Sequence, residues 1–237
     1  MPPLFNAMKR AALKQVFLDT IPVMTGYLIL GAGFGIVLNE AGYGAIWSLG
    51  MSAFIYAGSC QYLLVELLSR GAGLLQVALA TLLVNARHLF YGLSMVDAYK
   101  DAGQKKPYLI FALTDETYSL VTGTSRVPQG MSRLSYCFLV SALNQSYWIA
   151  GSVVGSLLGQ LPLDFTGVEF VLTALFVTML VEQWLSTRNH LPTLIGLGST
   201  LVCLIIFGSE IFLIPSMALI AVLLSVLQKT GRGETNG

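Results

Sequence analysis

Two short polar clusters lie inside long apolar stretches of this chain and carry the groups best suited to chemistry. Asn85–His88 lies near the middle of the apolar stretch 74–96, and Thr114–Glu116 lies near the centre of the stretch 107–122. An ionised side chain at membrane depth is costly unless a partner or a water-filled cavity receives it. One cluster is basic and the other acidic, so together they predict a polar site inside a membrane protein.

The basic cluster combines an amide (Asn85), a guanidinium (Arg87) and an imidazole (His88) within one helical turn. These groups can together bind a carboxylate and carry a proton. The alternative is a helix end at which Arg87 extends toward the lipid headgroups. If the helix starts at Leu74, Arg87 is near mid-depth, which favours the functional interpretation.

The acidic cluster contains Asp115 and Glu116, with Tyr118 two positions further on. Adjacent side chains on a helix point about 100° apart, so at most one carboxylate faces a given cavity directly. In a site of low dielectric constant one carboxylate is expected to hold a proton, which suits a proton-coupled step. The alternative is a pair that balances Arg87 for stability alone.

Two further polar patches lie within apolar stretches. Gly58, Ser59 and Gln61 could unwind a helix locally and offer backbone groups to a zwitterion, or could serve helix packing. Asn144 and Gln145 form a similar patch in the fifth stretch, for which the structural interpretation is favoured.

The composition sets the class of protein that positions these clusters. Of the 237 residues, 55% are hydrophobic and 11% charged, and the mean hydropathy is +0.72. Soluble domains carry roughly 25% charged residues, so we predict an all-α polytopic integral membrane protein. The expected count is seven to eight transmembrane helices, with the third broken near Asn85–His88. The apolar segments are 16–38, 45–68, 74–96, 107–122, 134–158, 168–186, 192–208 and 211–228.

The first apolar segment is too long for the core of a removable signal peptide, so we interpret it as the first transmembrane helix. Orientation follows from the Lys and Arg residues in the connections. Eight crossings with a cytoplasmic N-terminus place nine of these residues inside and three outside, whereas a re-entrant third segment gives seven against five. The count favours eight crossings, with Lys100, Lys105 and Lys106 as the exceptions.

The chain is expected to form a single transmembrane domain, 1–237, with two similar halves at 12–122 and 130–228. Gly31 and Gly35 match Gly151 and Gly155, and the end of the second segment resembles the end of the sixth. Repeats of this kind are typical of transporters that bind substrate between them. The paired glycines themselves predict close helix packing.

Three motifs together resemble the AzlC family, the large subunits of bacterial branched-chain amino acid exporters. They are Gly58–Tyr62 (Gly-Ser-Cys-Gln-Tyr), Asn85–Gly92 (Asn-Ala-Arg-His-Leu-Phe-Tyr-Gly) and Leu113–Tyr118 (Leu-Thr-Asp-Glu-Thr-Tyr). The likeness covers nearly the whole chain, from Asp19 to about Leu227. It implies a secondary exporter of valine, leucine, isoleucine and methionine in the inner membrane, with a small hydrophobic partner subunit of the AzlD type.

Within that expectation, Asn85 and Arg87 with Gly58, Ser59 and Gln61 are the predicted substrate-binding residues. Asp115, Glu116 and His88 are predicted to handle the ammonium group or the proton, and Tyr118, Asn144 and Gln145 are secondary candidates. No metal, nucleotide or nucleic-acid motif is present, so no cofactor is expected. The competing hypotheses are a structural or assembly subunit and, on the strength of His88, an intramembrane enzyme.

Overall fold

In this computed structural model, residues 2–122, 127–168, 170–186, 190–212, 215–216, 218–220 and 222–224 are described. The major elements in these residues are helices, apart from a short 3₁₀ turn at Gly103–Lys105. In chain order they are α1 (Pro2–Glu40), α2 (Ala45–Phe54), α3 (Gly58–Ser69), α4 (Leu74–Val84), α5 (Ala86–Ser94), α6 (Lys106–Phe111), α7 (Asp115–Thr122), α8 (Arg133–Leu158), α9 (Phe170–Ser186) and α10 (Leu191–Ile211).

The chain divides into two compact units. One contains residues 1–70 and 85–172, and the other contains 71–84 and 173–237. The first unit holds α1 to α3 and α5 to α8, and all the contacts of the polar clusters described below lie within it. Its core is built on α1 and α8 and includes Val16, Tyr99, Leu109, Tyr136 and Val140.

Three helices in the described part of the chain are long and apolar enough to cross a membrane: Arg10–Glu40, Arg133–Leu158 and Leu191–Gly208. The consecutive helices α4 and α5 add a fourth candidate if they form one broken span. This count is below the expected seven to eight for three reasons. The segments 45–68, 74–96 and 107–122 are each divided into two short helices, and the segment 168–186 forms a helix of 17 residues, α9. Much of the expected last segment, 211–228, lies outside the described residues.

The breaks within these three segments have local causes. Between α2 and α3, Tyr56 adopts φ 45°, a conformation that costs a non-glycine residue energy. Gly58 follows, and a Cβ atom there would lie 2.9 Å from Cη2 of Trp148. Asn85 separates α4 from α5 with ψ near 2°, and Ala112 ends α6 with ψ 13°. The backbone is therefore non-helical next to each polar cluster.

Helices α1 and α8 run parallel to one another. Thr20 contacts Tyr147 near the start of the pair, with 3.1 Å between their hydroxyl oxygens. Asn39 donates a hydrogen bond of 2.8 Å to the carbonyl of Gly159 at the end of the pair. Residue numbers therefore rise together along both helices, which enter and leave their shared interface in the same direction.

Glycines allow the two backbones to touch at the centre of this pair. A Cβ on Gly31 would lie 3.0 Å from backbone atoms of Trp148 and Ser152, and one on Gly35 would meet the carbonyl of Ser152. A Cβ on Gly155 would overlap the backbone of Ala32. Side chains cannot fit at such approaches, so these glycines are required for packing.

The contacts across this interface are reciprocal. If Gly31 and Gly35 correspond to Gly151 and Gly155, then Gly35 faces position 152 while Gly155 faces the equivalent position 32. In the same way Gly31 faces position 148, and Gly151 faces the equivalent position 28. When residue i of one partner contacts residue j of the other, and residue j of the first contacts residue i of the second, the two partners are related by a two-fold axis.

Candidate substrate site

The site is built where α3, α5 and α7 begin, directly after the three helix breaks. Helix α7 starts at Asp115, and the hydroxyl of Thr114 accepts a hydrogen bond of 3.3 Å from the Thr117 backbone N–H. Thr114 is thus an N-terminal cap of the kind that threonine commonly provides. Asp115 and Glu116 then occupy the first turn, where the helix dipole favours negative charge.

The basic and acidic clusters meet in an ion pair. Nη1 of Arg87 lies 2.7 Å from Oδ2 of Asp115, and Nη2 donates a hydrogen bond of 2.9 Å to Oγ of Ser59. The side chains of Arg87 and Asp115 are 28% and 34% exposed, so both are partly buried. One predicted residue from each of the three short helices is therefore in direct contact.

Aromatic side chains hold the carboxylate of this pair. The Tyr91 hydroxyl donates a hydrogen bond of 2.6 Å to Oδ1 of Asp115, and the Tyr91 ring stacks on Tyr118 with centroids 4.6 Å apart. The His88 ring lies edge-on to the Tyr91 ring, with 6.0 Å between their centroids. Both oxygens of Asp115 consequently have charged or hydroxyl donors.

Glu116 has a different neighbour from Asp115, as adjacent positions on a helix require. Its Oε2 accepts a hydrogen bond of 2.6 Å from the hydroxyl of Tyr27, which also lies 2.7 Å from Oγ1 of Thr114. Tyr27 was not among the predicted site residues. The sequence did carry a signal for Tyr27, which is a tyrosine inside the first apolar segment. A buried tyrosine hydroxyl usually has a hydrogen-bond partner.

The structure places Gln61 and Gly58 against Trp148. Gln61 is fully buried; its amide donates to Ser52 at 3.2 Å, and its carbonyl accepts from the Trp148 indole at 2.9 Å. Ser52 in turn donates to Ser152 at 2.8 Å. The polar groups of Gln61 are satisfied by α2 and α8, an arrangement that supports the helix break.

The two amides of α8 also have distinct surroundings. Gln145 donates a hydrogen bond of 3.0 Å to the carbonyl of Ala53 in the last turn of α2 and accepts one of 2.9 Å from Tyr108. Asn144 is fully buried and donates to Oγ1 of Thr117 at 3.0 Å. Asn85 lies at the break before α5, and its Oδ1 is buried without a hydrogen-bond partner among the described residues.

Together, the fold and the site define an all-α membrane protein in which broken helices hold a partly buried ion pair inside a hydrogen-bonded network. Residues 22–161 match the family model described as AzlC protein. The chain belongs to the AzlC family.

Several curated relatives cover nearly the whole chain. The branched-chain amino acid transport protein AzlC of Bacillus subtilis is 40% identical, with 92% of this chain and 86% of that protein aligned. A Helicobacter pylori (strain ATCC 700392 / 26695) protein described as an uncharacterized membrane protein is 42% identical over 92% of this chain and 96% of its own. The inner membrane protein YgaZ of Escherichia coli is 26% identical over 83% and 81%. No solved structure matches the chain.

Proposed function

We propose that the protein is a secondary transporter that exports branched-chain amino acids across the bacterial inner membrane. The observation that carries the proposal is the Arg87–Asp115 ion pair at the helix breaks. The relationship to a Bacillus subtilis protein described as a branched-chain amino acid transport protein supports the substrate class.

The ion pair offers a zwitterion both of the charges that it needs. The substrate carboxylate takes the place of Asp115 on the Arg87 guanidinium, which binds carboxylates with two parallel hydrogen bonds. Asp115, released from Arg87, then accepts the α-ammonium group. Because each protein charge exchanges one partner for another, neither is left buried and unpaired, a state that costs several kcal/mol.

The remaining predicted residues have supporting roles in this proposal. Ser59 holds the second guanidinium nitrogen of Arg87, and Asn85 offers an amide oxygen at the start of the same helix. Gly58 and Gln61 keep α3 separate from α2 so that Ser59 reaches the site. The aliphatic side chain is distinguished weakly, because one methylene is worth only about 1–3 kcal/mol, and so leucine, valine, isoleucine and methionine are all accepted.

Coupling to the proton gradient uses the neighbouring carboxylate. Glu116 accepts from Tyr27 and lies in no salt bridge within the described part of the chain. We assign the coupling proton to the Asp115–Glu116 pair, with His88 beside Tyr91 as a path to it.

The direction of α1 and α8 bears on the number of crossings. Parallel spans both begin on the same side of the membrane, so the chain between them crosses an odd number of times. A re-entrant Asn85 segment flanked by two crossing segments would make the count even and α8 antiparallel to α1. We therefore propose that 45–68, 74–96 and 107–122 all cross, with a cytoplasmic N-terminus and parallel halves related by the two-fold pattern of the α1–α8 interface.

The connection between α5 and α6 tests this topology. Asp101→Cys introduced into a variant with the native cysteines replaced is expected to react with an impermeant maleimide added outside intact cells. Labelling only after the membrane is opened would contradict three crossings. Position 101 is exposed in the structure, so poor access to the thiol is not an alternative explanation.

A transport assay tests the function itself. We propose that the protein works as the large subunit beside a small AzlD-type membrane protein, so both are purified together and placed in liposomes. An imposed pH difference is expected to drive labelled valine against its own gradient, and a protonophore is expected to abolish this movement. Equal valine distribution with and without the pH difference would contradict proton coupling.

A further inference from the structure

A second group of polar atoms lies deeper than the ion pair. Thr117 and Asn144 are fully buried, and Thr114 and Tyr27 are nearly so. Thr114 donates a hydrogen bond of 3.0 Å to Oγ1 of Thr117, which also accepts one of 3.0 Å from Nδ2 of Asn144. Through Tyr27, the same group reaches the carboxylate of Glu116. We call this group the oxygen cage.

One oxygen of the oxygen cage has no hydrogen-bond partner among the described residues. Oδ1 of Asn144 is buried and receives no hydrogen bond from them, although the amide nitrogen of the same group donates to Thr117. The hydroxyl of Tyr56 is buried next to the oxygen cage, close enough to Thr117 and Tyr27 for hydrogen bonding. Buried acceptors without donors are rare because each costs the full free energy of desolvation.

The chemistry of the oxygen cage selects the kind of ligand. Its unused position is an oxygen atom, and its one ionisable acid, Glu116, is in no salt bridge in the part of the chain that is described. Carbonyl, hydroxyl and carboxylate oxygens are the ligands that hard cations take, and an anion would be repelled by Glu116. In transporters such sites form where helices are broken, as α2 and α3 are at Tyr56.

We propose that Asn144 and Glu116, which are connected through Thr117, Thr114 and Tyr27, form a subsite for a small monovalent cation. Two sources share this chemistry: a sodium ion, and the α-ammonium group of a bound amino acid. The second source rests on the proposed function and extends it, because Glu116 and Asn144 then complete the ammonium site that Asp115 begins.

The test measures thermal unfolding of the purified full-length protein together with the proposed small subunit. In the first arm, sodium chloride replaces N-methyl-D-glucamine chloride at constant ionic strength without amino acid. In the second arm, leucine or 4-methylpentanoate is titrated without sodium. Wild-type protein is expected to gain several degrees in melting temperature from sodium or from leucine, since a ligand of the folded state stabilises it. No gain from 4-methylpentanoate is expected, because it lacks the ammonium group.

Thr117→Val removes the hydroxyl that accepts a hydrogen bond from the Asn144 amide, and so the group that orients Oδ1 of Asn144, and it keeps the side-chain volume. The concentration of sodium or leucine that gives half of the maximal gain in melting temperature is expected to rise at least about tenfold. The loss of one buried contact is large enough to cause this change. Thr122→Val is the matched control, since Thr122 lies on the same helix and is exposed. Its ligand response is expected to equal that of wild type. Asn144→Ala supplies a second measurement at the opposite wall of the oxygen cage.

The outcomes separate this proposal from the transport function. If leucine stabilises wild type and Thr117→Val equally and sodium has no effect, the transporter proposal stands and the cation subsite is overturned. If sodium alone stabilises and Thr117→Val abolishes the effect, the subsite stands and the sodium source is identified. If neither ligand changes the melting temperature, both proposals fail, and Oδ1 of Asn144 binds water only.

Discussion

Arg87→Ala is expected to reduce valine transport about 100-fold while leaving the protein folded. The guanidinium contacts the carboxylate of Asp115 and the hydroxyl of Ser59, and in the proposed complex it binds the substrate carboxylate with two hydrogen bonds. Charged hydrogen bonds contribute roughly 1.5–3 kcal/mol each, so the loss of two at the lower value corresponds to about 100-fold. Partial exposure of the pair places the expected loss at this lower value.

Matched variants show whether the effect belongs to the site. Arg87→Lys keeps the charge but loses the planar fork, so intermediate transport is expected. Arg70→Ala is the control, because Arg70 forms an exposed ion pair with Glu66 on α3, 2.7 Å long and remote from any substrate role proposed here. Wild-type transport by Arg87→Ala would show that the ion pair has only a structural role, as an assembly subunit would require.

Gly155→Ala and Gly35→Ala are expected to destabilise the protein to a similar degree. A Cβ at position 155 would lie 2.5 Å from the Cα of Ala32, and one at position 35 would lie 2.5 Å from the backbone nitrogen of Ser156. Overpacking of this kind typically costs about 1–3 kcal/mol. For a chain of this length that corresponds to a fall in melting temperature of roughly 2–12 °C, measured in detergent.

The same substitution elsewhere on α1 provides the control. Gly26 has no atom within 4 Å of an added Cβ, so Gly26→Ala is expected to leave the melting temperature unchanged or to raise it slightly through helix propensity. Equal stability of Gly26→Ala and Gly35→Ala would show that α1 and α8 are not in contact in the membrane. A large loss at only one of positions 35 and 155 would contradict the reciprocal interface.

The membrane class and the polar clusters could be predicted from sequence because both depend on local composition. A run of apolar residues indicates a span, and an ionised side chain within it indicates a site. The family resemblance rested on the same residues, and AzlC membership is confirmed. The glycine pairs likewise predicted close packing, which the α1–α8 interface displays.

The helix breaks could not be predicted in full, because tertiary contacts produce them. Nothing in the local sequence indicates that Tyr56 adopts φ 45°. The expected spans at 45–68 and 107–122 are two short helices each; local unwinding at Gly58 was one of two interpretations of the sequence, and the break before Asp115 was not predicted. Hydropathy is insensitive to a break of two or three residues when both flanks are apolar.

The partners of individual polar side chains could not be predicted from local sequence patterns either. The sequence grouped Asp115 with Glu116. In the structure Asp115 contacts Arg87 and Tyr91, whereas Glu116 contacts Tyr27. Gln61 belongs with Trp148, which lies far away in sequence. Such pairings depend on which helix faces which, and a single sequence does not contain that information.

Counterflow in liposomes tests most directly the claim that this site transports a zwitterion through Arg87 and Asp115. Liposomes loaded with unlabelled leucine are expected to accumulate labelled leucine transiently, and external valine is expected to compete. Leucinamide, which lacks the carboxylate, and 4-methylpentanoate, which lacks the ammonium group, are both expected to compete at least about 30-fold more weakly, as loss of one charged contact implies. Equal competition by either analogue, or counterflow unchanged in Arg87→Ala, would contradict the account.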